Sequence, residues 1–88
     1  MNTPVEQLRQ RLETAFHPLH LEIRDDGARH AGHAHEGGGH YSVRIVAPAF
    51  AAQPPLQRHR MIYAALGKLL QTEIHALSIK ALAPGESP

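Results

Sequence analysis

The chain of 88 residues contains no cysteine. No disulfide can close the fold, and no thiolate can act as a nucleophile or metal ligand. No apolar run approaches the roughly 18 residues that would mark a membrane-spanning helix. The N-terminal stretch is amphipathic, with charges at Glu6, Arg9 and Arg11, and lacks the apolar centre of a secretory signal. The chain therefore reads as soluble and cytoplasmic. Charge of one sign is also missing. Nine Lys and Arg stand against eight Asp and Glu, a net charge of +1 with histidines neutral, which is too small a bias to argue for nucleic acid by itself. There is no GxxG loop of the kind RNA-binding KH domains use. No phosphate-cradling glycine loop and no Ser/His/Asp arrangement can be placed, so the sequence does not read as an enzyme. Histidine is what the chain has in excess. His17, His20, His30, His33, His35, His40, His59 and His75 make eight. If the chain binds a metal, imidazole must be the main ligand.

The apolar share of 42% suits one small globular domain spanning residues 1–88. Thr3-Pro4-Val5-Glu6 is a capping box with proline at the first helical position. Val5, Leu8, Leu12, Ala15 and Phe16 follow at helical spacing, and His17-Pro18 ends the helix. Period two then marks a first strand from Leu19 to Arg24, with Leu19, Leu21 and Ile23 facing in. Residues 25–39, DDGARHAGHAHEGGG, form a flexible connection rich in His and Gly. Connections this long are usually functional or mobile. A second strand runs from His40 to Ala47 with Tyr41, Val43 and Ile45 on its apolar face. Phe50, in the short loop after Pro48, is expected to anchor on the core.

The stretch from Pro54 to Leu82 carries the densest pattern. Proline at 55 favours a helix start there. Ile62, Leu66 and Leu69 form its apolar stripe, while Gln57, Arg60, Lys68 and Gln71 point away. After Thr72-Glu73 the period changes to two, placing His75 in phase with Leu77, Ile79 and Ala81. Residues 83–88 show no pattern and are expected to fray. Three strands with one apolar face each and two amphipathic helices give an α+β fold in two layers, helices on one face of a three-stranded sheet. The first two strands read as an antiparallel hairpin, and the third, reached through a helix, is available for parallel pairing.

Gln57-Arg58-His59-Arg60-Met61-Ile62-Tyr63, followed by Ile74-His75-Ala76-Leu77-Ser78-Ile79, resembles the BolA family. The likeness extends back through Leu21-Glu22-Ile23-Arg24 and His40-Tyr41-Ser42-Val43, covering roughly Leu12 to Pro84. It implies the class II KH-like fold, α-β-β-α-β with a mixed sheet. In that family the histidine of the strand-entry motif, here His75, ligates a [2Fe-2S] cluster shared with a monothiol glutaredoxin and glutathione. The second ligand comes from the loop between the first two strands, as cysteine in one branch and histidine in another. The matching position here, just after Asp-Asp-Gly-Ala-Arg, is His30, with His33 and His35 as substitutes. The resemblance thus implies an adaptor in iron–sulfur trafficking or iron-linked regulation, with no cofactor in the isolated chain, which is expected to be a monomer or weak homodimer.

The residues read on their own are plainer. By spacing alone, His33 and His35 belong to a solvated polar loop, and His75 is a half-buried histidine bonded to a backbone carbonyl. Four of the eight histidines lie between positions 30 and 40, where Zn, Ni or Cu could bind opportunistically. A chain without thiolates cannot hold an iron–sulfur cluster alone in the usual way, but it can complete one whose other ligands are a partner's sulfurs. Imidazole in place of thiolate removes negative charge, which raises the potential and makes binding depend on pH. The rival reading is a DNA-binding transcriptional regulator. Arg58, Arg60 and Lys68 would then contact phosphates, and His59 would be a packed, hydrogen-bonded neighbour.

Overall fold

The computed structural model describes residues 3–26, 39–72 and 74–86, the side chain of His75 excepted. Helix α1 spans Pro4–Phe16. Strand β1 spans His20–Asp25 and β2 spans Gly39–Val46. A 3-10 turn over Pro48–Phe50 leads to α2, Pro55–Leu66, then a short α3, Leu69–Thr72, and β3, Ile74–Leu82. The sheet order is β1-β2-β3, with β1 antiparallel and β3 parallel to β2. This is the α+β arrangement expected from the sequence.

Local chemistry accounts for each boundary. The Glu6 amide donates to Thr3 Oγ1 at 3.2 Å, and the Thr3 amide donates to Glu6 Oε1 at 2.8 Å, so the capping box closes both ways. This bond to the Thr3 amide, then the bond at its side chain, holds the Glu6 carboxyl below the usual carboxylate range. His17 ends α1 in the left-handed region at φ 46, ahead of Pro18. Helix α2 stops where Gly67 takes φ 54 and ψ −123, a conformation other residues adopt only under strain. The apolar pattern runs on past that glycine, which is why α3 is a separate turn carrying buried Leu69.

The core lies between the helices and one face of the sheet. Leu8, Leu12, Ile45, Phe50, Ile62 and Leu66 are fully buried. Phe50 sits with its ring centroid 5.0 Å from that of Phe16, and so fixes the turn after β2 against α1. Gly39, the last of the glycine triplet, begins β2 rather than a loop. A Cβ there would stand 2.8 Å from the Tyr41 hydroxyl, so only glycine leaves room for that ring.

Two expectations are corrected. Leu19 was read as an inward strand residue but is 69% exposed. Its amide donates to the Val46 carbonyl at 2.8 Å, while His20 is the register partner of Val46. Two successive residues thus oppose one, and Leu19 loses the strand's phase. The tail does not fray as far as residue 86. Glu86 bonds Arg58 and the Ala83 amide, and Ala83 is buried.

Candidate functional site

The backbone of one ligand candidate, His75, is placed at one end of the sheet. In the β2–β3 register Gly39 pairs with Ile74 and His40 pairs with Ala76, so His75 has no opposing residue on β2. It is the extra residue of a bulge in a parallel ladder, a device that re-aims a position locally and recurs beside functional sites. The bulge has a sequence signal that straight alternation misses. Ile74 and Leu77 both contribute to the core, yet they are three apart, an odd spacing. Straight alternation from Ile74 to Leu77 therefore does not hold, although Leu77, Ile79 and Ala81 do share the core face.

The backbone of His75 lies beside the start of β2, where the chain leaves the 27–38 segment. His30, His33 and His35 are outside the described residues, as is the side chain of His75. His40, at the same end, is exposed. Among the described residues no three His, Cys, Asp or Glu side chains are grouped to hold a metal ion. With no cysteine anywhere in the chain, the donors near this end are imidazole nitrogens and carboxylate oxygens, and none is a sulfur. That set fits a cluster completed by a partner's sulfurs and does not fit a thiolate cage of this chain's own.

The three residues assigned to phosphate contact separate. Arg60 and Lys68 are exposed. Arg58 is 9% exposed and fully engaged. Its Nε donates to the Gln53 carbonyl at 2.7 Å, and Nη1 donates to the Ala81 carbonyl at 2.9 Å. Nη1 and Nη2 grip the Glu86 carboxylate at 2.6 and 2.8 Å. Arg58 is therefore a clasp joining the start of α2, the end of β3 and the tail, and it does not present its charge to a phosphate. Nothing in the sequence links two residues 28 positions apart, so the clasp was not legible there. The forked pairing with Arg58, then the Ala83 amide, pulls the Glu86 carboxyl down to about 2.

That value sets a pH dependence. The folded pKa is depressed, so the carboxylate contributes its full stability above the ordinary value of 4.5 and loses it as pH falls through about 2. Urea midpoints measured from pH 5 to pH 2 should fall further for the wild type than for Glu86→Gln. Parallel curves for the two proteins would remove this role from Glu86.

The outward face of the sheet is polar. Glu22 contacts His20 and lies 3.5 Å from Arg44, and the contact with His20 comes first among the causes that hold its carboxyl below the usual range. Asp26 accepts from Ser42 and lies 3.8 Å from Arg24. Ser78 and Lys80 continue this face on β3, lining a shallow groove of about 240 Å³. On α2, Leu56 and Tyr63 are exposed apolar residues seven apart, hence on one helical face. His59 lies between them, its ring 6.5 Å from that of Tyr63 in an edge-on arrangement.

A family model described as BolA-like protein matches residues 12–86. The chain is 38% identical over 87 residues to protein BOLA1, chloroplastic, of Arabidopsis thaliana, which covers 93% of this chain and 54% of that one. It is 38% identical over 74 residues to the DNA-binding transcriptional regulator BolA of Escherichia coli (strain K12), covering 84% of this chain and 70% of the regulator. The solved structure of BolA1 from Arabidopsis thaliana matches with a TM-score of 0.85 at 33% identity, covering 100% of both chains. The chain spans 24% of the length of SufE-like protein 1 and 54% of protein BOLA1, both of Arabidopsis thaliana, and 62% of BolA-like protein 1 of Bos taurus. None of the described helices is long and apolar enough to cross a membrane.

Proposed function

Because the chain belongs to the BolA-like family, we propose that it is a non-catalytic adaptor that docks a monothiol glutaredoxin and co-ligates a [2Fe-2S] cluster with it. The observation that supports this most is the register slip that singles out His75 at the exit of the histidine-rich segment. His75 and His30 are the proposed ligands, with His33 and His35 as substitutes. The partner's cysteine and the cysteine of glutathione would supply the sulfur ligands. When bound, such a cluster supplies one-electron chemistry and a transferable iron–sulfur unit. This chain's own part is to offer neutral imidazole nitrogens and a docking surface. The proposed compartment is the cytoplasm, although the Arabidopsis relative above is named chloroplastic.

The docking surface would join the His75 end of the sheet to the exposed face of α2. Leu56 is 63% and Tyr63 is 42% exposed; tyrosine is a common anchor of a partner interface, and Leu56 extends the apolar surface on the same helical face. Neither lies in the buried core, so both can be changed without opening a cavity. A Leu56→Asp, Tyr63→Asp double variant should bind an apo monothiol glutaredoxin at least about tenfold more weakly, with an unchanged melting temperature. Unchanged affinity in calorimetry would remove α2 from the interface.

The second reading is DNA binding, favoured by the name of the Escherichia coli relative. With Arg58 committed to the fold, only Arg60 and Lys68 of the three candidates remain for phosphates. Two contacts would give a shallow salt dependence, a slope in log K of about −2. A mobility-shift titration at two salt concentrations tests this, and absence of binding at low salt would exclude it.

A further inference from the structure

In the sheet order β1-β2-β3, strand β1 is an edge. The Ala47 amide donates to the Leu82 carbonyl at 3.0 Å and the Leu19 amide to the Val46 carbonyl at 2.8 Å. Odd-numbered positions of β2 therefore turn their backbone groups to β3, and even-numbered ones turn theirs to β1. In the β1 register His20, Glu22 and Arg24 face Val46, Arg44 and Ser42, so those even residues carry the ladder to β2. The backbone groups of Leu21 and Ile23 point the opposite way, along the edge that no other described strand pairs.

The charged side chains on the outward face of that edge, Glu22 and Arg24, are self-complementary. Consider a second copy of β1 laid antiparallel about a two-fold axis at Ile23. Ile23 then meets Ile23 in a hydrogen-bonded pair. Glu22 of each copy meets Arg24 of the other in the closer, non-hydrogen-bonded pairs, and this happens twice. A register centred on Glu22 would instead set two carboxylates face to face, which is destabilising. The other edge lacks this property, because β3 carries Lys80 and no acidic residue. A charge of one sign on an edge strand opposes self-pairing. The inward side chains of β1 also remain only half-buried at Leu21 and Ile23, whereas Tyr41, Val43 and Ile45 of β2 are 6%, 3% and 0% exposed. A neighbouring strand would cover them.

We propose that the chain self-associates through β1, two copies forming one six-stranded sheet with its two-fold axis at Ile23. The antiparallel seam sends the His75 ends of the two sheets in opposite directions, so each stays open to a partner. The dimer does not depend on cluster binding.

Sedimentation equilibrium of the full chain over a concentration series tests this. The wild type should rise from 9.7 kDa towards twice that mass. Glu22→Arg and Arg24→Glu should each weaken self-association at least about tenfold, since each sets like charges opposite one another twice. An equimolar mixture of the two variants should restore the dimer, because arginine of one then meets glutamate of the other at both positions. Arg24→Lys, on a residue remote from the core, should dimerise as the wild type does and keeps the test open where Glu22→Arg fails to fold. A wild type that stays at 9.7 kDa throughout, single variants that dimerise like it, or a mixture of folded variants that stays monomeric would each overturn the proposal.

Discussion

A His75→Ala variant, reconstituted with a monothiol glutaredoxin and glutathione, is expected to lose the visible circular dichroism of the shared cluster while keeping its own fold. His75 occupies a bulge position that faces no residue of β2, at the start of β3, so truncating its side chain disturbs little of the ladder. The expected stability cost is on the order of 1 kcal/mol. His30→Ala should weaken the signal less, because His33 and His35 lie on the same glycine-rich segment and are available in its place. Removal of His30, His33 and His35 together should match the loss seen in His75→Ala. An unchanged spectrum in His75→Ala would refute its role as a ligand. Full loss in His30→Ala alone would show that the other two histidines do not reach the iron.

The largest effect on stability is expected at Phe50, where alanine should cost about 3–5 kcal/mol. Its ring is fully buried and lies 5.0 Å from that of Phe16. The lost contacts and the remaining cavity both count, because α1, β2 and the 3-10 turn meet there and cannot all close in. For a domain this small, with a total stability on the order of 5 kcal/mol, that is most of what holds it folded. Phe50→Leu should cost much less, by retaining most of the apolar volume. Urea denaturation of the three proteins measures this. A loss below about 1 kcal/mol for Phe50→Ala would mean that the turn repacks freely.

Much of the fold was legible because local chemistry and burial agree. Thr3 and Glu6 announced α1, Pro55 announced α2, and the alternation of Tyr41, Val43 and Ile45 fixed the inner face of β2. Phe50 was expected on the core and is there. The misreadings fall where two strands, or two distant segments, decide a residue's place. Leu19 keeps the alternation in sequence but loses it in space, since its phase is set by how His20 meets Val46. The alternation that groups Leu77, Ile79 and Ala81 does not extend back to Ile74, because the register slips between Gly39 and His40; the face taken by the His75 side chain lies outside what the structure describes. Arg58 looked like one of a pair of surface cations with Arg60. Its partner Glu86 lies in a stretch with no pattern, and only the folded chain brings the two together. The convergence of His75 with the exit of the histidine-rich segment was suggested by family resemblance. The register of β2 and β3 gives it a backbone basis, which reaches His75 and stops short of residues 27–38.

The most direct test of the adaptor role is reconstitution of the wild-type chain with a monothiol glutaredoxin, iron, sulfide and glutathione, followed by size-exclusion chromatography with visible circular dichroism of the eluted complex. The account predicts a mixed complex with [2Fe-2S] bands that differ from those of the glutaredoxin alone and are absent from this chain alone. Two proteins that elute separately, with the glutaredoxin spectrum unaltered by this chain, would contradict it.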